Sequence, residues 1–325
     1  MRYLSLFSGI GGLDRAVEAH FDAVPAAFVE RDPYCQQVLA KRWPGVPIFD
    51  DVRQVGAGDV EPVSVVCGGF PCQDLSAAGS QSGLVDGDRS ALFFEMARIV
   101  AELRPRYVVI ENVPALLKWR GTVERALDGY GLTWVKVSAA HIGAPHLRRR
   151  VFVLAERGVA HRGVVDAGKV QPAARWTSPI ARDWKDAGHS PNLSIDTLPR
   201  QATAPSGADS NRSRSGGQAT TGSSARLSFA WVELLMGFPM GWTDLDCDNP
   251  IALPFPAPMV KGQWGDSPQH DFEPPRTITG KQAHRTARLR ALGNAVVSSQ
   301  ALQALALAVQ GPRQAMLFGG AEAWA

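Results

Sequence analysis

The sequence has few of the features that would place a protein outside the cytoplasm. Its 325 residues include only four cysteines, at positions 35, 67, 72 and 247, whose irregular spacing suits neither a disulfide framework nor a zinc site. No apolar run approaches the roughly 20 residues of a membrane span, and the amino terminus lacks a signal-peptide pattern. We therefore expect a cytoplasmic protein with no metal and no membrane segment.

The sequence also has little net charge. Lys and Arg number 34 against 31 Asp and Glu, which leaves a formal charge of +3. The totals therefore do not indicate nucleic-acid binding, and any such indication has to come from local clusters. Hydrophobic residues make up 45% of the chain, and its length is sufficient for two domains with a sizeable core.

Residues 1–155 alternate short apolar segments with helical periodicity, which predicts a doubly wound α/β sheet. The predicted strands are residues 2–7, 26–29, 63–66, 107–110, 134–137 and 151–154, and the predicted helices are residues 13–20, 33–43, 90–103 and 116–128.

The pattern changes after this region. Residues 201–225 contain no large apolar side chain, so we expect a flexible loop. The tryptophan- and proline-rich sequence around it predicts a smaller, irregular second domain at 161–285, which leaves 1–160 and 286–325 for the sheet domain. Within these parts, residues 227–236 and 291–309 are predicted to be helical.

A glycine turn follows the first predicted strand. Gly9, Gly11 and Gly12 separate that strand from a helix, an arrangement typical of nucleotide sites, although many α/β proteins use such turns only structurally. Glu30 follows the second strand about 20 residues later, where an acidic residue commonly accepts hydrogen bonds from a ribose. Asp50 or Asp51 is placed to bind an adenine amino group.

Three further groups follow strands of the same predicted sheet. Pro71 would present Cys72 rigidly at the carboxyl end of a strand, where open α/β sheets bind ligands. A cysteine in this position is often only an inert apolar residue. Glu111 follows the next strand, and the arginines at 148–150 form an anion-binding cluster before another.

The ordered set of motifs resembles the DNA cytosine-5 methyltransferases, in that family's usual order. The matching segments are FSGIGGLD (7–14), GGFPCQDLS (68–76), ENV (111–113), PHLRRR (145–150), LMGFP (235–239) and RALGNAV (290–296). The resemblance implies a Rossmann-like sheet that binds S-adenosylmethionine, completed by a smaller irregular target-recognition domain.

The resemblance also implies the chemistry. Cys72 would attack C6 of cytosine, Glu111, held neutral in a dry pocket, would protonate N3, and C5 would take the methyl group. Arg150 would contact the cytosine O2, and Arg148 would help to fix that arrangement. The implied cofactor contacts are Phe7, Gly9, Gly11, Leu13, Glu30, Asp51, Pro71 and Asn294, with Asp50 as an alternative to Asp51.

The implied substrate is double-stranded DNA with the target cytosine flipped out of the stack. The loop from Gln73 to Arg89 would close on this base, and its predicted DNA contacts are Gln73, Ser76, Ser80, Gln81 and Arg89. We expect a monomer from a bacterium or phage, with a companion restriction endonuclease acting on the same site as an open possibility and no stable protein partner.

Some observations leave alternatives open. His146 stands where the family more often has glutamine, and we interpret it as a structural hydrogen bonder. Cys35 and Cys67 are interpreted as core residues. The rival functions are an RNA (tRNA) cytosine-5 methyltransferase and a catalytically silent DNA-binding relative; a nicotinamide-dependent oxidoreductase would leave Pro71 and Cys72 unexplained.

Overall fold

A computed structural model describes residues 1–71, 91–168, 170, 176–181, 183, 198, 202, 226–252, 273–280 and 282–310. Its main feature is an eight-stranded sheet in the order β3-β2-β1-β4-β5-β7-β6-β8. The strands are β1 (Arg2–Leu6), β2 (Val24–Val29), β3 (Ile48–Phe49), β4 (Val65–Gly68), β5 (Tyr107–Asn112), β6 (Tyr130–Val137), β7 (Arg150–Arg157) and β8 (Gly163–Asp166).

Seven helices accompany the sheet in the described residues: α1 (Gly12–Phe21), α2 (Pro33–Arg42), α3 (Ala91–Leu103), α4 (Arg120–Ala126), α5 (Phe229–Leu235), α6 (Arg285–Asn294) and α7 (Ser298–Gln310). Short 3₁₀ helices cover Val52–Gln54, Pro114–Trp119 and Ala139–Ile142. A two-stranded antiparallel ladder joins β9 (Arg226–Leu227) to β10 (Thr277–Ile278).

The sheet is doubly wound, as the sequence predicts. One face is covered by α3, with Phe93, Met96 and Ile99 in its core cluster. The other face is covered by α1 and α7, which bury Val17 and Leu305 against it. Helices α1 and α3 form because their apolar residues recur on one side, so each helix has a single stripe to bury.

Strand β7 runs antiparallel between β5 and β6, a feature that the sequence analysis did not predict. Residues 138–149 separate β6 from β7 and contain a 3₁₀ helix at Ala139–Ile142 but no α-helix, the usual crossover between parallel strands. An antiparallel strand begins at the edge where its parallel neighbours end. The start of β7 at Arg150 therefore lies at the carboxyl edge of the sheet, beside Asn112 at the end of β5.

Other predicted elements also need correction. The helix predicted at 291–309 is two helices, because the chain leaves helical geometry at Ala295, where ψ is 154°. The helix predicted at 116–128 is a 3₁₀ turn followed by α4. Strand β8, which was not predicted, pairs with β6 at the edge of the main sheet.

Residues 285–309 are long and apolar enough to cross a membrane by composition alone. In this protein 61% of their most apolar window is buried inside the fold. Helices α6 and α7 instead supply Leu289 and Leu292 to one core cluster and Leu305 and Leu307 to another. We therefore describe them as core helices.

Candidate active site

A cavity lies at the carboxyl edge of the sheet, at the point where β1 and β4 are neighbours and the chain leaves the two strands in opposite directions. This is the position at which open α/β sheets bind ligands. Its volume is about 630 Å³, within the range of small-molecule and cofactor sites. The predicted site residues that line it are Phe7, Gly9, Glu30, Asp50, Asp51, Pro71, Glu111, Arg148, Arg150 and Asn294.

Phe7 directly follows β1, changes the direction of the chain and lines the cavity. It has φ 56°, in the left-handed region that non-glycine residues rarely occupy. Such strain persists only where the surrounding structure maintains it, and it is frequent at ligand sites. Gly9 follows, and its backbone N–H donates to Glu30 Oε2 at 2.7 Å.

Glu30 connects the glycine turn to the start of α2. Its Oε1 accepts from the backbone N–H of Asp32 at 2.7 Å while Oε2 accepts from Gly9. Burial raises the pKa of Glu30, and the two backbone donors act in the opposite direction. The carboxylate is therefore held in one orientation at the cavity wall, where it can accept hydrogen bonds from a ligand.

Asp50 and Asp51 lie at the end of β3, and both line the cavity. Asp51 caps the 3₁₀ helix Val52–Gln54 by accepting from Arg53 N at 3.0 Å. Arg98 of α3 holds the same turn through the carbonyls of Val52 and Val55. The orientation of Asp51 is thus fixed locally, whereas Asp50 is exposed.

Glu111 and Arg150 form an ion pair at the opposite side of the cavity, with Arg150 Nε 2.8 Å from Glu111 Oε1. Their side chains are 12% and 21% exposed, respectively. The resemblance implies a neutral Glu111 in a dry pocket, whereas in the structure its carboxyl group faces a guanidinium. The pair follows from the antiparallel course of β7, which brings Arg150 alongside the end of β5.

The backbone next to Glu111 is fixed by its neighbours. A Cβ on Gly69 would lie 2.9 Å from Glu111 Oε2, so no larger residue fits without moving the carboxylate. Asn112 Nδ2 donates to Phe70 O at 3.1 Å and ties the Gly69–Pro71 turn to β5. Asn112 was not among the predicted site residues, although it belongs to the ENV motif.

Arg148 is buried and points away from solvent. Its guanidinium donates to the carbonyls of Pro179, Gly293 and Ala295 at 3.1, 3.2 and 2.6 Å. Its backbone has φ 24°, which these contacts maintain. Arg148 therefore joins the start of β7 to the end of α6. Arg149, between Arg148 and Arg150, is exposed.

His146 is fully buried, and its Nε2 lies 2.8 Å from Leu235 O. Burial lowers its pKa to about 4, so the ring is neutral at physiological pH and donates to the carbonyl. This supports the structural interpretation of His146. Cys35 and Cys67 are buried among core residues, as expected, although Cys35 also touches the cavity.

Some predicted site residues lie elsewhere. In the described part of the chain, Leu13 on α1 packs in the core, and Gly11 packs against Trp43. Neither residue lines the cavity. The predicted nucleophile Cys72 and the predicted DNA contacts lie outside the described residues, as does the predicted loop 201–225. These DNA contacts are Gln73, Ser76, Ser80, Gln81 and Arg89. Cys72 directly follows Pro71, which lines the cavity.

Arg290 and Asp32 complete the cavity rim and were not predicted from the sequence. Arg290 on α6 forms an ion pair with Asp32 Oδ2 at 2.6 Å, and Asp32 also caps α2 through Tyr34 N and Cys35 N. The basic run 281–290 was the only sequence signal for Arg290. Nothing in the pattern pairs it with Asp32, 258 residues earlier in the chain.

Comparison with known proteins identifies the family. The model of the family described as C-5 cytosine-specific DNA methylase matches residues 1–242. The chain belongs to this family. The resemblance inferred from the motifs is thereby confirmed.

Individual relatives match a shorter part of the chain. It is 37% identical over 166 residues to type II methyltransferase M2.BsuMI of Bacillus subtilis (strain 168), covering 48% of this chain and 42% of the relative. It is 32% identical over 180 residues to type II methyltransferase M.AquIA of Picosynechococcus sp., covering 48% of this chain and 72% of the relative. The chain thus matches less than half the length of the first relative.

Among solved structures, the S. pombe Dnmt2 methyltransferase superposes with a TM-score of 0.52 at 15% identity, covering 94% of this chain and 98% of that one. At this identity the likeness shows the fold alone. It confirms the predicted fold class, an α/β sheet of methyltransferase type.

Proposed function

We propose that this protein transfers a methyl group from S-adenosylmethionine to C5 of a cytosine flipped out of double-stranded DNA at a specific sequence. The observation that carries the proposal is the Glu111–Arg150 ion pair, which faces the same cavity as Pro71, the residue before Cys72. A donor–acceptor pair next to a thiol is what the addition of a nucleophile to a cytosine ring needs.

The residues of the cavity fit the proposed cofactor. Glu30 presents a fixed carboxylate for a ribose, and Asp51 or Asp50 lies one strand further along for an adenine amino group. Pro71 and Asn294 also line the cavity, and the resemblance assigns them to the methionine end of the cofactor. When bound, the cofactor supplies an electrophilic methyl group.

The protein's own groups would act on the base. The Cys72 thiolate forms a bond to C6, and Glu111 delivers a proton to N3 as negative charge builds on the ring. Arg150 contacts the cytosine O2, and Arg148 holds the start of β7 in place. After C5 is methylated, a base, which we take to be water, removes the C5 proton. The C5=C6 bond then re-forms as Cys72 leaves, and N3 returns its proton to Glu111.

The ion pair sets a requirement for this sequence of events. In the described structure Glu111 is paired with Arg150, so Glu111 has to leave this pair before it can donate to N3. A base whose O2 accepts from Arg150 would draw the guanidinium away from Glu111. We propose that base entry and the release of Glu111 from Arg150 are coupled in this way.

The domain division and the partners are parts of the same proposal. Residues 1–160 and 286–325 would form the catalytic domain, and residues 161–285 would recognise the target, with a flexible loop at 201–225. Type II methyltransferases among the relatives support a role beside a companion restriction endonuclease, acting on the same DNA site without a stable complex. We propose a cytoplasmic monomer.

Bisulfite sequencing tests the proposal. The protein is expressed in a host without cytosine methylation, in parallel with Cys72→Ala and, as a matched control, with Cys247→Ser. Cys247 is partly exposed and lies outside the cavity lining. Protected cytosines at one short repeated sequence, lost in Cys72→Ala and kept in Cys247→Ser, would support the reaction, the nucleophile and the specificity together. Unprotected DNA from well-expressed, soluble protein would contradict the proposal and direct the assay to tRNA.

A further inference from the structure

Two tryptophans, Trp43 and Trp242, lie behind the glycine turn of the cavity. Trp43 follows α2, and Trp242 follows α5 in the segment 237–247. Their rings meet edge to face, with centroids 5.6 Å apart and an interplanar angle of 81°. This geometry is favourable for aromatic pairs.

Both rings reach the turn itself. The indole Nε1 of Trp242 donates to Ile10 O at 2.8 Å. Gly11 has φ 82°, and a Cβ at this position would overlap the six-membered ring of Trp43. Ile10 and Gly11 are therefore held from behind by two rings, while Gly9 one residue earlier contacts Glu30 at the cavity wall.

Two arginines fix the position of Trp242. The guanidinium groups of Arg15 and Arg42 lie 5.1 and 5.4 Å from its ring centroid. Arg15 also donates to Gly237 O at 3.2 Å, so α1 holds the start of the segment 237–247. Arg42 donates to four carbonyls of the segment, those of Gly241, Trp242, Asp244 and Cys247.

A buried carboxylate supports the segment from the other side. Glu233 on α5 is fully buried and accepts from the backbone N–H groups of Gly241 and Thr243 at 2.7 and 2.8 Å. The segment therefore cannot shift by itself, because it is tied to α1, α2 and α5 together. A displacement of Trp242 would be transmitted to Ile10 and the glycine turn.

We propose that Trp242 is a positioning residue for the cofactor, which holds the glycine turn in the geometry that presents Gly9 and Glu30. The inference rests on the proposed function, since it concerns affinity for S-adenosylmethionine. It makes the segment 237–247, within the part of the chain assigned to target recognition, a determinant of cofactor affinity. Trp242 itself does not line the cavity, so its action is through Ile10.

Trp242→Phe tests the inference, because it keeps an aromatic ring and removes the N–H donor. Trp231→Phe is the matched control: Trp231 is fully buried, and its indole nitrogen has no hydrogen-bond partner among the residues the structure describes. We expect calorimetric titration with S-adenosylmethionine to show about five- to tenfold weaker binding for Trp242→Phe, the effect of losing one hydrogen bond. Trp231→Phe should bind as the wild type does, even where its Tm is lower.

Steady-state kinetics provide a second measurement, because a merely structural role of Trp242 would not change KM separately from kcat. Trp242→Phe should raise the KM for S-adenosylmethionine with little change in kcat at saturation. Trp43→Phe withdraws the six-membered ring from Gly11, so it should also weaken cofactor binding. This variant keeps the test decisive if Trp242→Phe folds poorly.

The outcomes separate the two proposals. This inference alone would be overturned if the wild type bound S-adenosylmethionine and Trp242→Phe and Trp43→Phe bound it with the same affinity. An equal loss of affinity in Trp231→Phe would also overturn it. Wild-type protein that binds no S-adenosylmethionine would overturn the proposed function and this inference with it.

Discussion

At the scale of single residues, the contact that matters most is the ion pair of Glu111 with Arg150. Neither residue type is unusual at a surface, where such pairs contribute little to stability. Here both side chains are mostly buried and face the cavity beside Pro71. We therefore expect their substitution to change catalysis far more than folding.

Glu111→Gln retains the shape of the side chain and removes the acid. We expect methyl transfer to slow by roughly 10²–10⁴, the usual contribution of a general acid, with the Tm close to that of the wild type. Single-turnover transfer of a labelled methyl group measures the rate. Glu124→Gln is the control, because Glu124 pairs with Arg120 on α4, outside the cavity lining. A normal rate of methyl transfer in Glu111→Gln would show that Glu111 is not the general acid.

Gly69→Ala should act through the same carboxylate. The new Cβ would lie 2.9 Å from Glu111 Oε2, so the carboxyl group must move. A misplacement of this kind is expected to cost about 10- to 100-fold in rate, while affinity for S-adenosylmethionine stays near that of the wild type. Gly58→Ala provides the comparison, since nothing lies within 4 Å of a Cβ there. Equal rates for the two variants would show that Glu111 tolerates the shift.

His146→Gln should make the free energy of unfolding depend less on pH below pH 6.5. Burial lowers the pKa of His146 from 6.5 to about 4, so its contribution to stability is fully present above pH 6.5 and is lost as the pH falls toward 4. The corresponding free energy is on the order of 3 kcal/mol. Glutamine can still donate to Leu235 O, but it does not titrate.

Urea unfolding of both proteins between pH 4.5 and 7.5 measures this effect. Asp14 works in the opposite direction, because burial raises its pKa from 3.8 to about 7 and its contribution is lost as the pH rises through that range. The informative quantity is therefore the difference between wild type and variant at each pH. A difference that does not change with pH would contradict the assignment of His146.

At the scale of elements, α7 completes both the core and the site. It packs on α1 and on β6 and β7, and its buried Gln300 donates through Nε2 to Val137 O at 3.0 Å and Arg148 O at 2.8 Å. One side chain thus bridges the end of β6 and the approach to β7. The position of Arg148 depends on a helix that follows it by 150 residues.

Gln300→Met should remove both bonds with little change in volume. Two buried carbonyls would lose their donor, which we expect to cost about 2–5 kcal/mol of unfolding free energy. Gln303→Met on the same helix is partly exposed and should cost less than 0.5 kcal/mol, as surface substitutions usually do. Chemical denaturation of both variants measures the two values, and similar losses would show that the bridge contributes nothing specific.

At the scale of the whole molecule, the two ends of the chain share one core. Tyr3 and Phe28 from the amino-terminal strands pack in the same cluster as Ala301 and Leu305 from α7. A second cluster joins Ile10 and Val38 to Trp231 and Leu292. The amino-terminal part therefore cannot bury its apolar surface without the residues after 226.

Truncation tests this dependence. A variant ending at Gly280 would expose the surfaces that α6 and α7 cover, and we expect it to be insoluble or to show no cooperative thermal unfolding. A variant ending at Gln310 retains every described helix and should unfold cooperatively. Circular dichroism during heating distinguishes the two, and cooperative unfolding of the shorter variant would show an independent amino-terminal core.

Much of this architecture follows from local pattern. The strand and helix alternation of residues 1–112 was predicted to within a few residues, because short apolar segments alternate there with helical patterns, and a glycine or proline marks several of the boundaries. The break between α6 and α7 was missed, since Ala295, Val296 and Val297 continue the apolar pattern while the backbone turns away. Asp32 and Arg290 were missed because their pairing spans most of the chain.

The sequence by itself determined the fold class, the family and the order of the motifs, because these depend on residue types and spacings within short segments. Only the tertiary structure decided which groups meet: Glu111 with Arg150, Arg148 with the end of α6, and Trp242 with Ile10. Each of these contacts joins residues far apart in the chain. Their geometry depends on strand direction and helix packing, which no local pattern encodes.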